Sequence, residues 1–139
     1  MKKIVLWAAA LVMAVSCGGG GAVSCPVDLS PWMGADNLYT FTVKDVSFTL
    51  APVKAGTFSM GETLDMGRFR TPALHQVILD GYAIGTAEVS QALWKAVMGS
   101  NPSPKDVPTA PVTRVSYGDV QKFLSKLSKA TGVPFRLPT

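Results

Sequence analysis

The sequence has few of the residues from which catalytic sites are usually built. Only 16% of its 139 residues are charged, it has one histidine, His75, and its two cysteines, Cys17 and Cys25, lie close to the N-terminus. It contains no glycine-rich phosphate-binding motif and no serine paired with a base. One histidine without further spaced ligands cannot form a zinc site. Composition therefore gives no support to nucleotide, zinc or serine-hydrolase chemistry in this chain.

The net charge gives no support to nucleic-acid binding. The chain has 13 basic and 9 acidic residues, a formal charge of +4, and two of the basic residues, Lys2 and Lys3, belong to an N-terminal signal. Without them, 11 basic residues face 9 acidic ones and the charge is +2. No basic patch is interleaved with aromatic residues. We therefore expect no nucleic-acid partner, and the length allows one domain at most.

No apolar run is long enough to cross a membrane as a helix, but a shorter one marks the N-terminus. Lys2 and Lys3 precede an apolar stretch from Ile4 to Val15, and small residues follow it. A helix that spans a hydrocarbon core of about 30 Å needs about 20 residues. The three-part pattern is that of a secretory signal peptide, which we predict over residues 1–16.

The signal ends on A-V-S-C, which resembles a bacterial lipobox, although Ala14 stands where leucine is usual. We predict that Cys17 is the lipidated first residue of the mature protein. A second A-V-S-C ends at Cys25, but four glycines separate it from the apolar run. The alternative is a Cys17–Cys25 disulfide in a plain secreted protein.

A lipid anchor predicts a place in the cell. We expect a protein of the bacterial cell envelope, periplasmic or on the outer-membrane surface, with the membrane as a partner. Residues 17–44 are predicted to form a tether and linker, since they begin with the flexible glycine run and show no strong periodicity.

Short alternating runs predict strands after the linker. Apolar and polar residues alternate over residues 46–50 and 57–61, with Gly56 at a turn, so the two runs predict a hairpin. Pro52 should end the first strand or place it at an edge. A third strand begins at His75, and Asp80-Gly81 predicts either a second hairpin or a bulge within one longer strand.

Two helices have both ends written into the sequence. Ser90 can cap the first, Val89 and Trp94 can form a hydrophobic staple across its start, and Gly99 ends it. The proline-rich segment 101–111 follows as a surface loop.

The second helix begins with Ser116 as its cap and Asp119 at the third helical position, where a capping box places an acidic residue. Its apolar residues recur at helical spacing, and Gly132 ends it.

The polar residues near these elements are better explained by structure than by chemistry. Ser90 and Ser116 are caps, Trp94 is a core residue, and His75 is structural. Glu88 is either a buried, hydrogen-bonded carboxylate that orders the turn before the first helix, or a charge that favours the positive helix end. The sequence therefore assigns no catalytic, cofactor-binding or metal-binding residue.

Five segments in order resemble one family. They are V-x-x-G-x-F-x-M-G at 53–61, H-x-V at 75–77, E-V-S-Q-A-L-W-K-A-V-M-G-S-N-P-S at 88–103, P-V-x-x-V-S-Y at 111–117 and F-R-L-P-T at 135–139. Together they are similar to the N-terminal half of formylglycine-generating enzymes, the sulfatase-modifying factor family. The family usually has tryptophan where this chain has Tyr117.

The resemblance implies an irregular α+β fold of the C-type-lectin-like kind over residues 45–139, incomplete at the C-terminus. It also implies a chemistry, the oxidation of a sulfatase cysteine to formylglycine with oxygen and copper held by a cysteine pair. That pair and the calcium ligands of the family belong to its C-terminal half, so copper and calcium are expected only in a full-length homologue. Whether the whole protein is an enzyme is left open.

Two functions are compatible with the resemblance. The full-length protein can be a sulfatase maturation factor, whose partner is a sulfatase polypeptide. The alternative is a non-catalytic, lectin-like binding or scaffold lipoprotein of the gliding-motility or secretion-associated type, whose partners are other envelope proteins. In either case, if half of the domain is missing, we expect apolar surface to stay exposed on both helices.

The lipid-anchor prediction can be tested directly. Replacing Cys17→Ser should release the protein from the membrane fraction, because the acylated residue is lost. Cys25→Ser is the matched control and should stay membrane-bound. Fractionation and immunoblotting measure both, and membrane retention of Cys17→Ser would contradict the prediction.

Overall fold

The computed structural model describes residues 14–16, 28–61 and 74–138. Its strands are β1 (Ala14–Ser16), β2 (Tyr39–Val43), β3 (Val46–Val53), β4 (Gly56–Met60), β5 (His75–Leu79) and β6 (Tyr82–Gly85). Its helices are α1 (Gln91–Met98) and α2 (Tyr117–Thr131), and a short 3-10 turn covers Ser30–Trp32. The predicted α+β class is confirmed.

The main sheet has four antiparallel strands in the order β1-β6-β3-β2. Its one tight hairpin joins β2 to β3, where Val43 pairs with Val46 across the two-residue turn Lys44-Asp45. Both turn residues have positive φ, 46° and 67°. Positive φ at both central positions is the geometry whose twist matches that of the strands it joins.

The predicted hairpin between residues 46–50 and 57–61 is wrong. Strands β3 and β4 do not pair with each other but run one after the other in the same direction. Strand β3 pairs with β6, and β4 pairs with β5. Alternation of apolar and polar residues specifies the two faces of a strand and not its partner. Pro52 lies within β3, beyond Leu50 where the pairing with β2 ends, so it has a partner strand on one side only and a missing N–H is tolerated.

Asp80-Gly81 forms neither a hairpin turn nor a bulge. Val53 pairs with Tyr82, and Gly56 pairs with Leu79. Two residues lie between these pairs on each strand, so neither strand has the extra residue that defines a bulge. The two pairs of strands are therefore one long antiparallel ribbon with a short interruption.

Part of the predicted linker belongs to the fold. Leu29, Phe41 and Val43 are buried in the core, and Trp32 stacks on Phe41 with ring centroids 5.2 Å apart. Residues 28–44 therefore pack with the domain that we expected to begin at residue 45. The sequence pattern did not predict this packing, because β2 has only five residues and so shows too few alternations.

Strand β1 falls within the predicted signal peptide. Ala14 pairs with Ile84 and Ser16 with Tyr82, at the free edge of β6. This pairing describes the uncut chain, so removal of residues 1–16 stays a prediction. Cys17, the predicted lipidation residue, and the predicted glycine tether lie outside the described residues.

Both helix predictions are confirmed at their ends. The hydroxyl of Ser90 accepts a hydrogen bond from the Leu93 N–H at 3.2 Å, and Gly99 ends α1 with φ of 89°. Ser116 and Asp119 form a reciprocal capping box at the start of α2, and Gly132 ends that helix with φ of 74°. Neither these helices nor any other in the described part of the chain is long and apolar enough to cross a membrane.

The core lies between the two helices and the strands β2 and β3. Trp94 of α1 stacks on Phe123 of α2, with ring centroids 4.8 Å apart and planes 8° from parallel. A second aromatic group joins the sheet to the C-terminal segment, where Phe135 packs edge-on against Phe41 at 5.6 Å. Every buried side-chain nitrogen or oxygen of the described residues has a hydrogen-bond partner.

Much of the exposed apolar surface lies on the β4–β5 part of the ribbon, whereas the helices expose one large residue of this kind, Tyr117 at the start of α2. The core-facing residues of α2 are all buried. The ribbon β4–β5 instead exposes Phe58, Met60, Ile78 and Leu79, with Ile78 78% exposed. Strands β4 and β5 extend beyond the main sheet, and no other described strand or helix packs extensively against them.

The capping box predicts a pH dependence of stability. Hydrogen bonds from the Ser116 side chain and backbone hold the pKa of Asp119 below its ordinary value of 3.8. A lowered folded-state pKa contributes stability that is present above the unfolded pKa and is lost as the pH falls through the folded pKa. Asp119→Ala should therefore lower the free energy of unfolding at pH 6, and the difference from wild type should shrink below about pH 4.

Urea denaturation at several pH values measures this difference. In a Ser116→Ala background the same substitution should show a much weaker pH dependence, because the main hydrogen bond is already absent. An equal pH dependence in both backgrounds would rule out the capping box as its cause.

Candidate functional site

An open cleft lies where β3, β6 and the start of α1 meet. Its volume is about 260 Å³, and its walls come from the Ser47–Thr49 segment of β3, from residues 85–90 and from Leu93. The Thr49 and Thr86 hydroxyls hydrogen-bond to each other beside it, and the Thr86 N–H donates to the Thr49 carbonyl at 3.1 Å. The cleft is thus a notch at the end of the two central strands, with a mostly apolar lining that carries several hydroxyl groups.

The cleft has one ionisable side chain, Glu88, which is exposed. The alternative of a buried Glu88 carboxylate is therefore wrong. The lining has no second titratable side chain beside Glu88, so it offers no acid–base pair. The cleft can accept a small polar group, but its residues do not form a catalytic constellation.

The predicted structural residues occupy the places expected of them. Ser90 and Ser116 cap helices, and Trp94 is 2% exposed in the core. His75 begins β5 and lies opposite Met60 in the ribbon, away from the cleft lining. In the parts of the chain that the structure describes, no three His, Cys, Asp or Glu residues come together to hold a metal ion.

The most connected polar side chain is Gln91, which sequence reasoning passed over. It is 5% exposed, and its amide oxygen accepts hydrogen bonds from Asn101 Nδ2 at 2.9 Å and from the Val107 N–H at 3.0 Å. Its amide nitrogen donates to the Pro111 carbonyl at 3.3 Å. One side chain therefore fastens three points of the loop 101–111 to the start of α1.

The same loop satisfies the backbone at the start of α1. The first N–H groups of a helix have no partner within the helix. Here the Gln91 N–H donates to the Ala110 carbonyl at 2.9 Å and the Ala92 N–H to the Pro108 carbonyl at 3.0 Å. With the Ser90 cap on Leu93, this explains why a loop rich in proline is held in one conformation. The available signal was a glutamine beside a capping serine, with an Asn-Pro pair ten residues later.

The exposed charges near this loop add little. Lys95 and Asp106 form an ion pair at 3.6 Å with both side chains more than half exposed. Exposed pairs of this kind contribute about 0–1 kcal/mol to stability. Hydrogen bonding through Gln91 and Asn101 is therefore the main constraint on the loop.

Comparison with known proteins identifies the domain. Residues 49–139 match the family described as the Sulfatase-modifying factor enzyme 1-like domain. The chain belongs to this family. The resemblance seen in the five sequence segments is confirmed.

A solved structure supports the fold of this sulfatase-modifying-factor domain. Treponema denticola variable protein 1 is 33% identical, with a TM-score of 0.57, over 66% of this chain. The chain covers 34% of the length of that structure. The predicted C-type-lectin-like class is thus confirmed for the part of the domain present here. No curated protein matches the chain.

The role of Gln91 in the domain is testable by substitution. Gln91→Ala should lower the free energy of unfolding by about 2 kcal/mol, because it removes the buried amide that bonds two donors and one acceptor of the loop. Gln121→Ala, on the exposed face of α2, is the control and should change it by less than about 0.5 kcal/mol. Urea denaturation measures both, and equal effects would show that the loop does not depend on Gln91.

Proposed function

We propose that this chain is the N-terminal part of a bacterial envelope lipoprotein that carries a sulfatase-modifying-factor domain. The family match over residues 49–139 supports the domain. The A-V-S-C ending of the predicted signal peptide supports a lipid anchor at Cys17. The anchor holds the domain at a membrane surface, periplasmic or outside the outer membrane.

Within the domain, the residues of this chain contribute to the stability of the fold. The matched segment contains no cysteine, and its described residues bring no metal-ligating cluster together. Copper held by a cysteine pair, as the family resemblance implies, therefore does not fit the residues present, and calcium finds no group of carboxylates. We derive no reaction step from this part of the chain.

The first candidate for the whole protein is sulfatase maturation, the oxidation of a sulfatase cysteine to formylglycine. Family membership is the observation that favours it. In that case the cysteine pair, the metal ligands and the surface for the sulfatase polypeptide would lie in a part of the domain that this chain does not contain; the chain covers 34% of the length of the Treponema structure.

The second candidate is a non-catalytic binding or scaffold lipoprotein. One observation favours it: the solved relative with 33% identity is a variable protein by its name. Its name describes variability and not catalysis. The open cleft beside Glu88, with hydroxyls but no acid–base pair, has the chemistry of a small binding notch.

The cysteine content of the rest of the domain separates these candidates. A pair of cysteines in that part of the domain favours the oxidase, and their absence there removes it. Sequencing the gene and its transcript downstream of codon 139 is the observation that decides.

The chain itself should have no oxidase activity, because no cysteine lies in its domain. Incubation of the purified chain with copper, oxygen and a sulfatase peptide should leave the peptide cysteine unchanged by mass spectrometry. A complete formylglycine-generating enzyme is the positive control. Copper-dependent formation of formylglycine by this chain would overturn the assignment of its role.

A further inference from the structure

Charge is distributed unevenly over the described residues. Residues 120–138 contain the basic residues Lys122, Lys126, Lys129 and Arg136 and no acidic residue, a net charge of +4. The other described residues, 28–61 and 74–119, have five basic against seven acidic residues, a net charge of −2. The low overall charge thus conceals a molecule with a basic end. Asymmetry of this kind indicates an interaction with an anionic surface.

Three of these charges form a stripe along one face of α2, called here the lysine stripe: Lys122, Lys126 and Lys129. Their spacing of four and three residues places them on one side of the helix, and all three are exposed. The apolar residues of α2 are buried on the other side. Between the lysines the helix has small residues such as Ser125, so the ammonium groups are its most prominent feature.

In the part of the chain that the structure describes, no carboxylate forms an ion pair with the lysine stripe; the pKa of Asp119 is lowered mainly by the Ser116 hydrogen bonds and to a smaller extent by the charge of Lys122. Among the described residues, the recorded ion pair is Lys95 with Asp106, on another part of the surface. Asp119, the nearest acidic residue along the helix, is engaged by the Ser116 hydroxyl and N–H in the capping box. The stripe is therefore a region of one charge sign.

We propose that the lysine stripe docks α2 against anionic phospholipid headgroups of the membrane that carries the anchor. The proposal rests on the lipid anchorage put forward above. Docking by the stripe turns the basic end of the domain toward the membrane and the acidic remainder away from it. The cleft beside Glu88 belongs to that acidic remainder.

The predicted tether allows as few as three lysines to dock the domain on the membrane. Ten residues separate Cys17 from Asp28, the next residue that the structure describes, and the eleven Cα–Cα steps between them span at most about 40 Å. The domain is thus confined near the lipid surface at a high effective concentration. Each lysine close to an anionic membrane strengthens the attraction by about 5-fold in partition, so the free stripe is weak but the tethered one is effective.

A membrane fits these features better than a nucleic acid does. Nucleic-acid surfaces combine basic residues with aromatic stacking platforms, and the lysine stripe contains no aromatic residue. Phosphate contacts made by three lysines alone would give little affinity without a tether to the nucleic acid.

The test uses the lipidated protein reconstituted into two kinds of vesicle, phosphatidylcholine alone and phosphatidylcholine mixed with phosphatidylglycerol. An amine-reactive reagent is applied, and labelling is measured by mass spectrometry. Labelling at the lysine stripe should be several-fold slower in the anionic vesicles at low salt and should recover at high salt, since these contacts are screened. Lys44, Lys54 and Lys105, exposed elsewhere, are internal controls and should be labelled equally in both.

A second measurement uses an environment-sensitive fluorophore at Ser125→Cys in a Cys25→Ser background. The emission change on anionic vesicles should be lost in Lys122→Gln/Lys126→Gln/Lys129→Gln. It should persist in Lys44→Gln/Lys54→Gln/Lys105→Gln, which removes the same charge. Equal labelling in the two vesicles, or loss of the signal in both variants, overturns the proposal.

Two further outcomes are distinguishable. Protection of the stripe by duplex DNA but not by anionic vesicles would replace the membrane by a nucleic acid. If the intact mass shows no lipid at Cys17, the anchorage has failed. Sedimentation of the unanchored chain with anionic vesicles at low salt, lost in the stripe variant, would then support the stripe alone, and its absence would overturn it.

Discussion

The stacking of Trp94 on Phe123 is the contact on which the rest of this domain depends. It joins α1 to α2 through two rings that are almost fully buried. The two helices in turn contact β3 and β2, so the ring pair fixes the helical layer over the sheet. Aromatic pairs of this geometry contribute about 0.5–1.5 kcal/mol beyond the area that they bury. Removing either ring would separate the helices as well as leave a cavity.

The side-chain hydrogen bonds that join α1 to the loop 101–111 centre on one residue. Gln91 holds the loop 101–111, the loop carbonyls hold the first N–H groups of α1, and Ser90 completes the cap. This network holds the loop and the first turn of α1 together. The cleft beside Glu88 has that one ionisable side chain in its lining, so the polar contacts of the described residues are explained by the stability of the fold.

The helices were predictable because their signals are local. A capping serine, an apolar face and a terminal glycine lie within one element, and each acts through neighbours three or four residues away. Strand partners were not predictable from alternation, since β4 and β5 are joined by a segment of more than a dozen residues. Gln91 gave no periodic signal, because its partners Val107 and Pro111 are 16 and 20 residues distant.

By itself, the sequence determined the α+β class, the ends of both helices and, through five ordered segments, the family. These features depend on local backbone chemistry or on the order of motifs. Only the tertiary structure decided that residues 28–44 contribute to the core through Leu29, Phe41 and Val43, that β3–β4 and β6–β5 form one interrupted ribbon, and that Glu88 is exposed. Each of these features depends on contacts between segments that are far apart in the sequence. Such contacts produce no local sequence pattern from which they could be predicted.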